Sequence, residues 1–592
     1  MKKTKFLRHL TTFVVTLSLV LPLGMGNLQP VSAAENGKTP SQVYVEKMGK
    51  GWNLYNTYDA INTAPGQISD ETAWGQPPVT KDQIRAVKNK GFKSIRIPMT
   101  AYTRYSYVDG HYVIDSAWLA KYKQTVDWAV EEGLYVMINL HHDSWAWLAD
   151  WNGDKSAEEY KRYVDLWTQL ADYFKDEPKQ VCFETINEPS FNKKDTDTIT
   201  EQDKLDMINQ AGYDTIRKTG GNNAKRMIVI PVLHTATDYS AQAYNFITSL
   251  KDLNIIATVH NYSDWYFSSN IGREGFDEVL YQVDGTDYTP RIGVQKFYDT
   301  LYNTFIKNGI GVVIGEYGVL GNSVPAGDVQ PGEKLKLYEL MNYYATQKGI
   351  CLMLWAGVVS RHEFGPKDFE GDPSIAKLVV AAIHGQRSSY ATGFNETYLQ
   401  NPDSVKIPLT LNDNKFVGIA GLQKGKDYTY DEATATVTLS KDFVTSKFNA
   451  LPSNQYGTIA ELVMKFNNGA DWNQFLIKYT TPVLKPVTGT TTSGITIPVD
   501  FNGTKLRRAS AYDESGNTVG PFSPWWNYIP FGSSFTFDYD KGISLTGDFF
   551  NGDSIRNLNG KITVHFEFYD GQVINYILTK DGTNVTGKSV AN

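Results

Sequence analysis

The chain has 592 residues, more than one hydrophobic core usually supports, so two or three domains are expected. Its 57 Lys and Arg residues are outnumbered by 64 Asp and Glu residues, which gives a formal net charge of −7. This acidic balance argues against nucleic acid and anionic membrane surfaces as partners, because both attract basic proteins.

The first 33 residues have the order of a secretory signal peptide. A basic start precedes an apolar stretch, and small residues suited to cleavage after Ala33 or Ala34 follow. A membrane anchor is the alternative, but the apolar stretch is shorter than the ~20 residues that a spanning helix needs. We therefore expect a secreted, extracellular protein with no membrane partner. The segments concerned are Lys2 to Arg8, Phe13 to Leu23 and Val31 to Ala34.

Both cysteines lie in apolar runs that are typical of buried strands. Cys182 and Cys351 have no neighbouring CxxC or His spacing that would indicate a metal site. Export could oxidise them, but the apolar surroundings favour two buried free thiols. No metal and no other cofactor is predicted.

Between residues 51 and 385, short apolar runs alternate with longer amphipathic segments. Strands separated by helices pair in parallel, and eight of them close the sheet, so the pattern predicts a (β/α)8 TIM barrel over residues 40–388. An open doubly wound sheet is the alternative, but no GxGxxG follows any of the runs. The predicted strands begin at Gly51, Phe92, Tyr135, Val181, Met227, Ile255, Val312 and Cys351, and predicted helices begin near Thr80, Ala117, Ala157, Lys204 and Lys334.

After residue 388 the helical periodicity disappears and short alternating segments follow. Those between 389 and 484 predict an Ig-like β-sandwich, and those between 485 and 582 predict a second β-sandwich that binds carbohydrate. A Pro- and Thr-rich stretch from Thr480 separates the two. Because the linkers are short, both modules are expected to dock rather than to trail freely.

Polar and aromatic side chains stand at the ends of six of the eight predicted strands. Active-site groups of a (β/α)8 barrel lie at the C-terminal ends of its strands, so these side chains are expected to share one rim. The residues are Arg96, His141, His142, Asn187, Glu188, His260, Tyr262, Glu316 and Trp355.

Two of these residues are glutamates, Glu188 at the end of the fourth predicted strand and Glu316 at the end of the seventh. Hydrolysis of a glycosidic bond needs one carboxylic acid to protonate the leaving oxygen and one carboxylate to attack or to activate water. Glu184 is too far along the strand from Glu188, at about 13 Å, to be its partner. We expect Glu184 to be a hydrogen-bonded acid inside the barrel.

In this order, the rim residues resemble the active-site set of glycoside hydrolase family 5, the large cellulase family. GWNLYN from Gly51 and ETAWG from Glu71 resemble its endoglucanase and xyloglucanase branch, subfamily 4, although that branch more often has Gly where this chain has Tyr55. The β-rich region resembles an X2 Ig-like module followed by a family 46 carbohydrate-binding module, as in Bacillus cellulases.

The resemblance implies that Glu188 is the general acid/base and Glu316 the nucleophile, with retention of anomeric configuration. Chemistry supports this division, because an acid must stay protonated near neutral pH while a nucleophile must stay ionised. Arg96 and Tyr262 are natural hydrogen-bond donors to Glu316. The resemblance further implies that Asn187 binds the sugar 2-hydroxyl, that His260 holds Glu188 and that His141 contacts the sugar.

Aromatic residues near the strand ends are candidates for sugar stacking. Trp355 offers a flat apolar face to a pyranose ring, and adjacent tryptophans in the last module lie in a Pro-rich loop where a glycan could cover them. Ordinary core or loop packing is the alternative for each. The remaining substrate-binding candidates are His142, Asn56, Trp74, Trp145, Trp147, Trp151, Trp265, Trp525 and Trp526.

The sequence therefore predicts a secreted, monomeric, retaining endo-β-1,4-glucanase that cuts inside cellulose-type glucans. The same machinery acting mainly on xyloglucan, mixed-linkage glucan, mannan or xylan remains an alternative. A barrel kept as the scaffold of a non-catalytic glycan-binding surface protein is an alternative of another class.

Overall fold

The computed structural model describes residues 37–62, 69–193, 199–263, 267, 275–319, 330–355, 373–521 and 528–590. The predicted signal peptide lies outside these residues. Among the described helices, none combines the length and apolar character needed to cross a bilayer.

Eight parallel strands close into a barrel, which confirms the predicted fold class. Each strand pairs with its sequence neighbours, and the first strand pairs with the eighth to close the sheet. We number the strands β1 Lys50–Asn53, β2 Ser94–Ile97, β3 Tyr135–Asn139, β4 Val181–Glu184, β5 Ile228–Pro231, β6 Ile255–Asn261, β7 Gly311–Tyr317 and β8 Cys351–Leu354.

The side chains of each strand alternate between the helix layer and the barrel interior, as the period of two requires. In β2, Ile95 and Ile97 join the large core beneath the helices, whereas Arg96 points inward. In β4, Phe183 packs outward and Glu184 points inward to meet Arg96. The barrel interior therefore holds polar groups above an apolar floor.

Helices between the strands pack against the outside of the barrel. Thr80 caps one of them in a capping box with Gln83. Three further helices lie in segments for which the sequence analysis named none, Ser240–Ser249, Pro290–Thr304 and Pro373–Ile383. The five helices that the sequence predicted are present in the structure at Lys81–Asn89, Ser116–Glu131, Glu158–Tyr173, Glu201–Lys218 and Pro331–Lys348.

A short helix, Pro40–Met48, closes the bottom of the barrel. Its Val45 and Met48 pack against inward-facing residues of the strands, including both cysteines. Cys182 and Cys351 are buried free thiols, as predicted, and burial raises the pKa of each to about 12. Thiols held neutral in this way act as small apolar side chains.

The middle module contains two four-stranded sheets between residues 390 and 478. The prediction that helices end at 388 is wrong, because Lys441–Ala450 is a helix within this module. The Ser440 side chain accepts a hydrogen bond from the backbone N–H of Phe443 and so caps the helix. The sheet strands are Tyr390–Ala391, Val405–Thr410, Thr436–Leu439 and Tyr428–Asp431, and then Glu396–Leu399, Trp472–Lys478, Gly457–Phe466 and Phe416–Ile419.

The last module has its own core beneath a five-stranded and a three-stranded sheet. Its final strand, Asn584–Ser589, pairs with Val573–Asp581, so the module extends past the predicted end at residue 582. The other strands of these sheets are Val487–Thr490, Gly560–Phe568 and Leu506–Asp513, and then Ile495–Ile497, Gly542–Leu545 and Phe535–Asp538.

Buried charged groups join the barrel to the middle module. Lys336, on a barrel helix, donates to Glu333 over 2.6 Å and to the carbonyls of Thr392 and Gly393 over 3.1 and 2.9 Å. Lys336 is buried, so separating the modules would remove two hydrogen-bond acceptors from its ammonium group. The two modules therefore form one packed unit.

Two carboxylates fix the last module to the rest of the chain. Glu278 lies on the loop after β6 and accepts hydrogen bonds from Arg507 and Arg508 of the last module. Glu396 of the middle module forms an ion pair with Lys505. Because the loop after β6 belongs to the catalytic rim of a barrel, these contacts hold the last module beside that rim.

Candidate active site

Arg96 lies at the centre of the polar groups inside the barrel mouth. Its side chain is 0% exposed and its guanidinium reaches Glu184 at 2.7 Å, Glu316 at 2.8 Å and Asn187 Oδ1 at 2.7 Å. The two carboxylates raise the pKa of Arg96 above its usual value, although burial alone would lower it. A permanently charged guanidinium thus fixes three acceptors in one plane.

Glu316 is buried and held at both carboxylate oxygens. Arg96 donates to Oε1 over 2.8 Å and the Tyr262 hydroxyl donates to Oε2 over 2.6 Å. Only 6% of its side chain is exposed. These two donors orient the carboxylate toward the open mouth and favour its ionised form.

Glu188 is placed differently, since 48% of its side chain is exposed. It lies beyond the end of β4, which stops at Glu184 rather than continuing to Glu188 as predicted. His260 Nδ1 lies 2.9 Å from Glu188 Oε1. The backbone of Glu188 has a φ of 39°, a left-handed conformation that costs a non-glycine residue about 1 to 3 kcal/mol and is common at functional sites.

The two glutamates face each other across the mouth. One carboxylate oxygen of Glu188 lies within 4.8 Å of one of Glu316, and His260 lies between them, 3.6 Å from Glu316. A sugar ring seated at the mouth would therefore lie within reach of both carboxylates. This arrangement can perform acid-assisted nucleophilic substitution at one carbon.

Electrostatics in the free protein oppose the simple division of pKa values that the sequence suggested. Desolvation acts to raise the pKa of Glu188, but the hydrogen bond and charge of His260 outweigh it and lower this pKa. Burial raises the pKa of Glu316 against the opposing charges of His260 and Arg96. Burial lowers the pKa of His260, yet the two carboxylates raise it overall. Because His260 contacts both carboxylates, the charge of each of the three groups affects the pKa of the others.

His141 lies beside the carboxylates as a neutral ring. Burial lowers the pKa of His141 well below its usual value, and Asn139 Nδ2 lies 3.2 Å from its Nδ1. The ring stacks on Trp355 at 5.6 Å between centroids with 9° between the planes. With Nδ1 accepting, Nε2 carries the proton and faces Glu316 at 3.9 Å.

Further aromatic candidates continue from His141 along the rim. The His142 ring lies 4.4 Å from that of His141 and 5.2 Å from that of Trp74. Trp145 is 47% exposed and its indole N–H donates to His142 Nδ1 over 2.8 Å. These rings form a partly open aromatic surface beside the carboxylates.

The remaining candidates divide into buried, rim and undescribed residues. Trp147 and Trp151 are buried core residues and do not extend the aromatic surface, because the helices beyond β3 fold over them. Asn56, half-buried in the loop after β1, has a φ of 53° that asparagine tolerates. Trp265, Trp525 and Trp526 lie outside the described residues.

Sequence analysis missed two buried amides that complete the site. Asn53 on β1 accepts a hydrogen bond from Arg96 over 3.2 Å, and Asn139 on β3 donates to Glu184 over 2.8 Å. Both point into the barrel because they alternate with outward-facing apolar neighbours. The sequence did contain a signal for them, because in GWN and MIN each asparagine follows an outward-facing apolar residue and so is expected to face inward.

Two groups of side chains in the described residues have donor atoms close enough to hold a cation. One consists of Glu188, Glu316 and His260, where a bound metal ion would take both carboxylates as ligands. The other is Asp59 with His141 and His142. There Asp59 already accepts the N–H groups of Asn56 and Thr57, and His142 Nδ1 already accepts from an indole, so hydrogen bonding accounts for the group.

Comparison with family models gives two matches. Residues 56–358 match the model of the cellulases, glycosyl hydrolase family 5. Residues 480–588 match the model of the carbohydrate-binding domain CBM46. The first match covers strands β2 to β8 with the rim residues, and the second covers the last module.

Relatives extend the similarity over nearly the whole chain. Endoglucanase B of Paenibacillus lautus is 35% identical over 98% of this chain and 99% of its own length. The trimodular endo-β-1,4-glucanase B of Bacillus halodurans is 34% identical, with a TM-score of 0.81 over 93% of this chain and 99% of that one. A trimodular endo-β-1,4-glucanase of Bacillus licheniformis, 24% identical with a TM-score of 0.70 over 93% and 100%, shares the fold. The chain belongs to glycosyl hydrolase family 5, the cellulase family.

Proposed function

We propose that the protein is a secreted, retaining endo-β-1,4-glucanase that hydrolyses internal bonds of cellulose-type glucans. The observation that carries the proposal is the short separation of Glu188 and Glu316, since a carboxylate oxygen of one lies within 4.8 Å of a carboxylate oxygen of the other. Retaining glycosidases hold their carboxyl groups ~5 to 5.5 Å apart, whereas inverting enzymes leave ~6.5 to 9.5 Å for a water molecule.

In the first step, Glu316 attacks the anomeric carbon of the sugar at the mouth. The bond to the leaving glucan oxygen breaks as that oxygen takes the proton of Glu188, which leaves a covalent glycosyl ester on Glu316. Arg96 and Tyr262 hold the attacking carboxylate in place, and Asn187, whose Oδ1 is engaged by Arg96, keeps its amide N–H₂ for the sugar 2-hydroxyl.

In the second step, Glu188 takes a proton from water, and that water attacks the same carbon. The ester bond to Glu316 breaks and the sugar leaves with its original configuration. Two inversions at one carbon therefore give net retention.

Substrate binding would give Glu188 its proton for the first step. Its side chain is 48% exposed in the free protein, so a glucan seated on the rim would remove water from it. Desolvation raises the pKa of a carboxyl group, and the charge of Glu316 within 4.8 Å acts in the same direction. We infer that Glu188 is protonated when the substrate is bound.

The rim suits a long chain rather than a chain end. Trp355 and His141 are stacked at the cleavage position, and the aromatic surface continues to Trp74 and Trp145 on the same rim. Sugar rings present C–H groups to such faces. The neighbouring domain of residues 480–588, with its match to a carbohydrate-binding family, supports a polymeric substrate.

A panel of soluble polysaccharides tests the proposed substrate. We expect release of reducing sugar from β-1,4-glucan to exceed release from mannan and xylan by at least about tenfold, because a pocket built for one sugar loses about 1.4 kcal/mol or more with another. Viscosity should fall early, as internal cleavage requires. Dominant release from mannan or xylan would overturn the substrate assignment. Dominant release from xyloglucan would assign xyloglucan as the main substrate.

A further inference from the structure

Strand β7 contains one residue more than its neighbours on both sides. Against β6, Ile314 pairs with Val259 and Glu316 pairs with His260, so no partner residue remains for Gly315. Against β8, Ile314 pairs with Leu352 and Tyr317 with Leu354, which gives the same excess of one. Gly315 therefore forms a β-bulge one residue before Glu316.

The bulge decides which way Glu316 points. Val312 and Ile314 pack outward beneath the helices, while Val313 belongs to the apolar floor inside the barrel. In a regular strand, Glu316 would follow Ile314 onto the outer face, because side chains alternate with a period of two. The extra residue reverses the alternation, so Glu316 points inward to Arg96 and Tyr317 packs outward.

A side chain at the bulge position would displace its neighbours by a few tenths of an ångström. A Cβ atom on Gly315 would lie 3.0 Å from Thr258 Oγ1 and 3.2 Å from His260 Nε2. Both groups are buried in the interior of β6, and His260 is the residue that contacts Glu188. A methyl group here would push directly on the ring between the two glutamates.

Asn53 fixes the other side of the bulge. Its amide nitrogen lies 2.9 Å from the carbonyl oxygen of Gly315 and 3.2 Å from that of Met353. Its amide oxygen accepts from Arg96, which also donates to Glu316. Asn53 is fully buried, so one side chain links the bulge to the guanidinium that orients the carboxylate.

We infer that Asn53 and Gly315 are positioning residues, which set the orientation of the Glu316 carboxylate through the β7 bulge without touching the substrate. The inference rests on the proposed function, since it assigns a task in the step that forms the covalent ester. The consequence is a selective loss of reaction rate, with little loss of glucan binding, when either residue is changed.

The test measures formation of the covalent ester separately from binding. The full-length Gly315→Ala and Asn53→Ala proteins are treated with an activated 2-deoxy-2-fluoro-β-cellobioside, whose ester accumulates, and labelling of Glu316 is followed by mass spectrometry. We expect the labelling rate constant at saturation to fall about 10- to 100-fold, the range that a displacement of about 1 Å produces. Affinity for cellotetraose, measured by calorimetry, should change less than about threefold.

Matched controls separate positioning from loss of stability. Asn223 is a buried asparagine that joins a backbone carbonyl of Ala171 to Arg226 away from the site. Gly489 is a crowded glycine in the last module, where a Cβ atom would lie 2.7 Å from Ile495. Asn223→Ala and Gly489→Ala should lower the melting temperature and leave the labelling rate constant of the folded protein unchanged.

The outcomes distinguish this inference from the proposed function. Unlabelled wild-type protein would overturn the retaining mechanism itself. Normal labelling by folded Gly315→Ala and Asn53→Ala proteins would overturn the positioning inference alone, and so would equal losses in the control variants. Should either alanine variant not fold, the Asn53→Ser protein is measured instead, because serine keeps a small polar group at position 53. Its labelling rate constant is expected to fall in the same way, and normal labelling would overturn the positioning inference.

Discussion

Replacing Glu316 by glutamine is expected to lower turnover of soluble β-1,4-glucan by about 10⁴-fold or more, the scale seen when a catalytic nucleophile is removed. An amide keeps the shape of the carboxylate but cannot form the glycosyl ester. The fold should persist, because the side chain stays in place between Arg96 and Tyr262. Steady-state assay and circular dichroism of the Glu316→Gln protein check both statements.

Glu461→Gln is the matched control for this substitution. Glu461 is exposed on a strand of the middle module, so its amide variant should retain wild-type turnover. Glucan affinity of the Glu316→Gln protein should remain close to that of the wild type. Unchanged turnover in the Glu316→Gln protein would contradict the account and favour a glycan-binding protein that uses the barrel as a scaffold.

Replacing Glu188 by alanine is expected to lower kcat on β-1,4-glucan by about 10²- to 10⁴-fold, which is the usual contribution of a general acid. The loss should depend on the leaving group. A glucan oxygen is a poor leaving group and needs a proton, whereas an activated aryl group leaves without one. For an aryl β-cellobioside, formation of the glycosyl ester by the Glu188→Ala protein should therefore be slowed far less.

Pre-steady-state measurement of aryl release tests this dependence. A burst of aryl group followed by slow turnover is expected, because the second step still lacks its base. The same loss on both substrates would contradict a role for Glu188 in protonating the leaving group. A loss on neither would remove Glu188 from the reaction altogether.

Most of the barrel was predictable because its strands carry strong local signals. Runs such as those from Tyr135 and Val181 are apolar on the outer face and bounded by turn residues, and eight of them determine the closed sheet. The grouping of the site residues on one rim was predictable from topology alone, since polar residues at the C-terminal ends of parallel strands lie at the same end of the barrel. The structure brings Arg96, Glu188 and Glu316 together as that reasoning requires.

Features that depend on long-range contacts were not predictable. The bulge at Gly315 requires knowledge of the register against two neighbouring strands, which a single sequence does not contain. The helix Lys441–Ala450 has few apolar residues, and it lies in a region where the alternating pattern predicted only strands. The lowering of the Glu188 pKa in the free protein depends on His260, which is 72 residues away along the chain.

The contacts between modules show another limit of sequence reasoning. Short linkers predicted docking, but not the carboxylates that achieve it. Glu278 lies on the rim loop after β6 and binds two consecutive arginines of the last module, Arg507 and Arg508. Charged residues in loops are normally solvated, so only the fold shows that these are partners.

The anomeric configuration of the first product tests the central claim most directly. Proton NMR recorded during hydrolysis of a defined cello-oligosaccharide, before mutarotation, reports whether the new reducing end is β or α. The placement of Glu188 and Glu316 within 4.8 Å predicts the β-anomer first, with the α-anomer growing in later. Initial release of the α-anomer would show a single displacement by water and would contradict the assignment of Glu316 as the nucleophile.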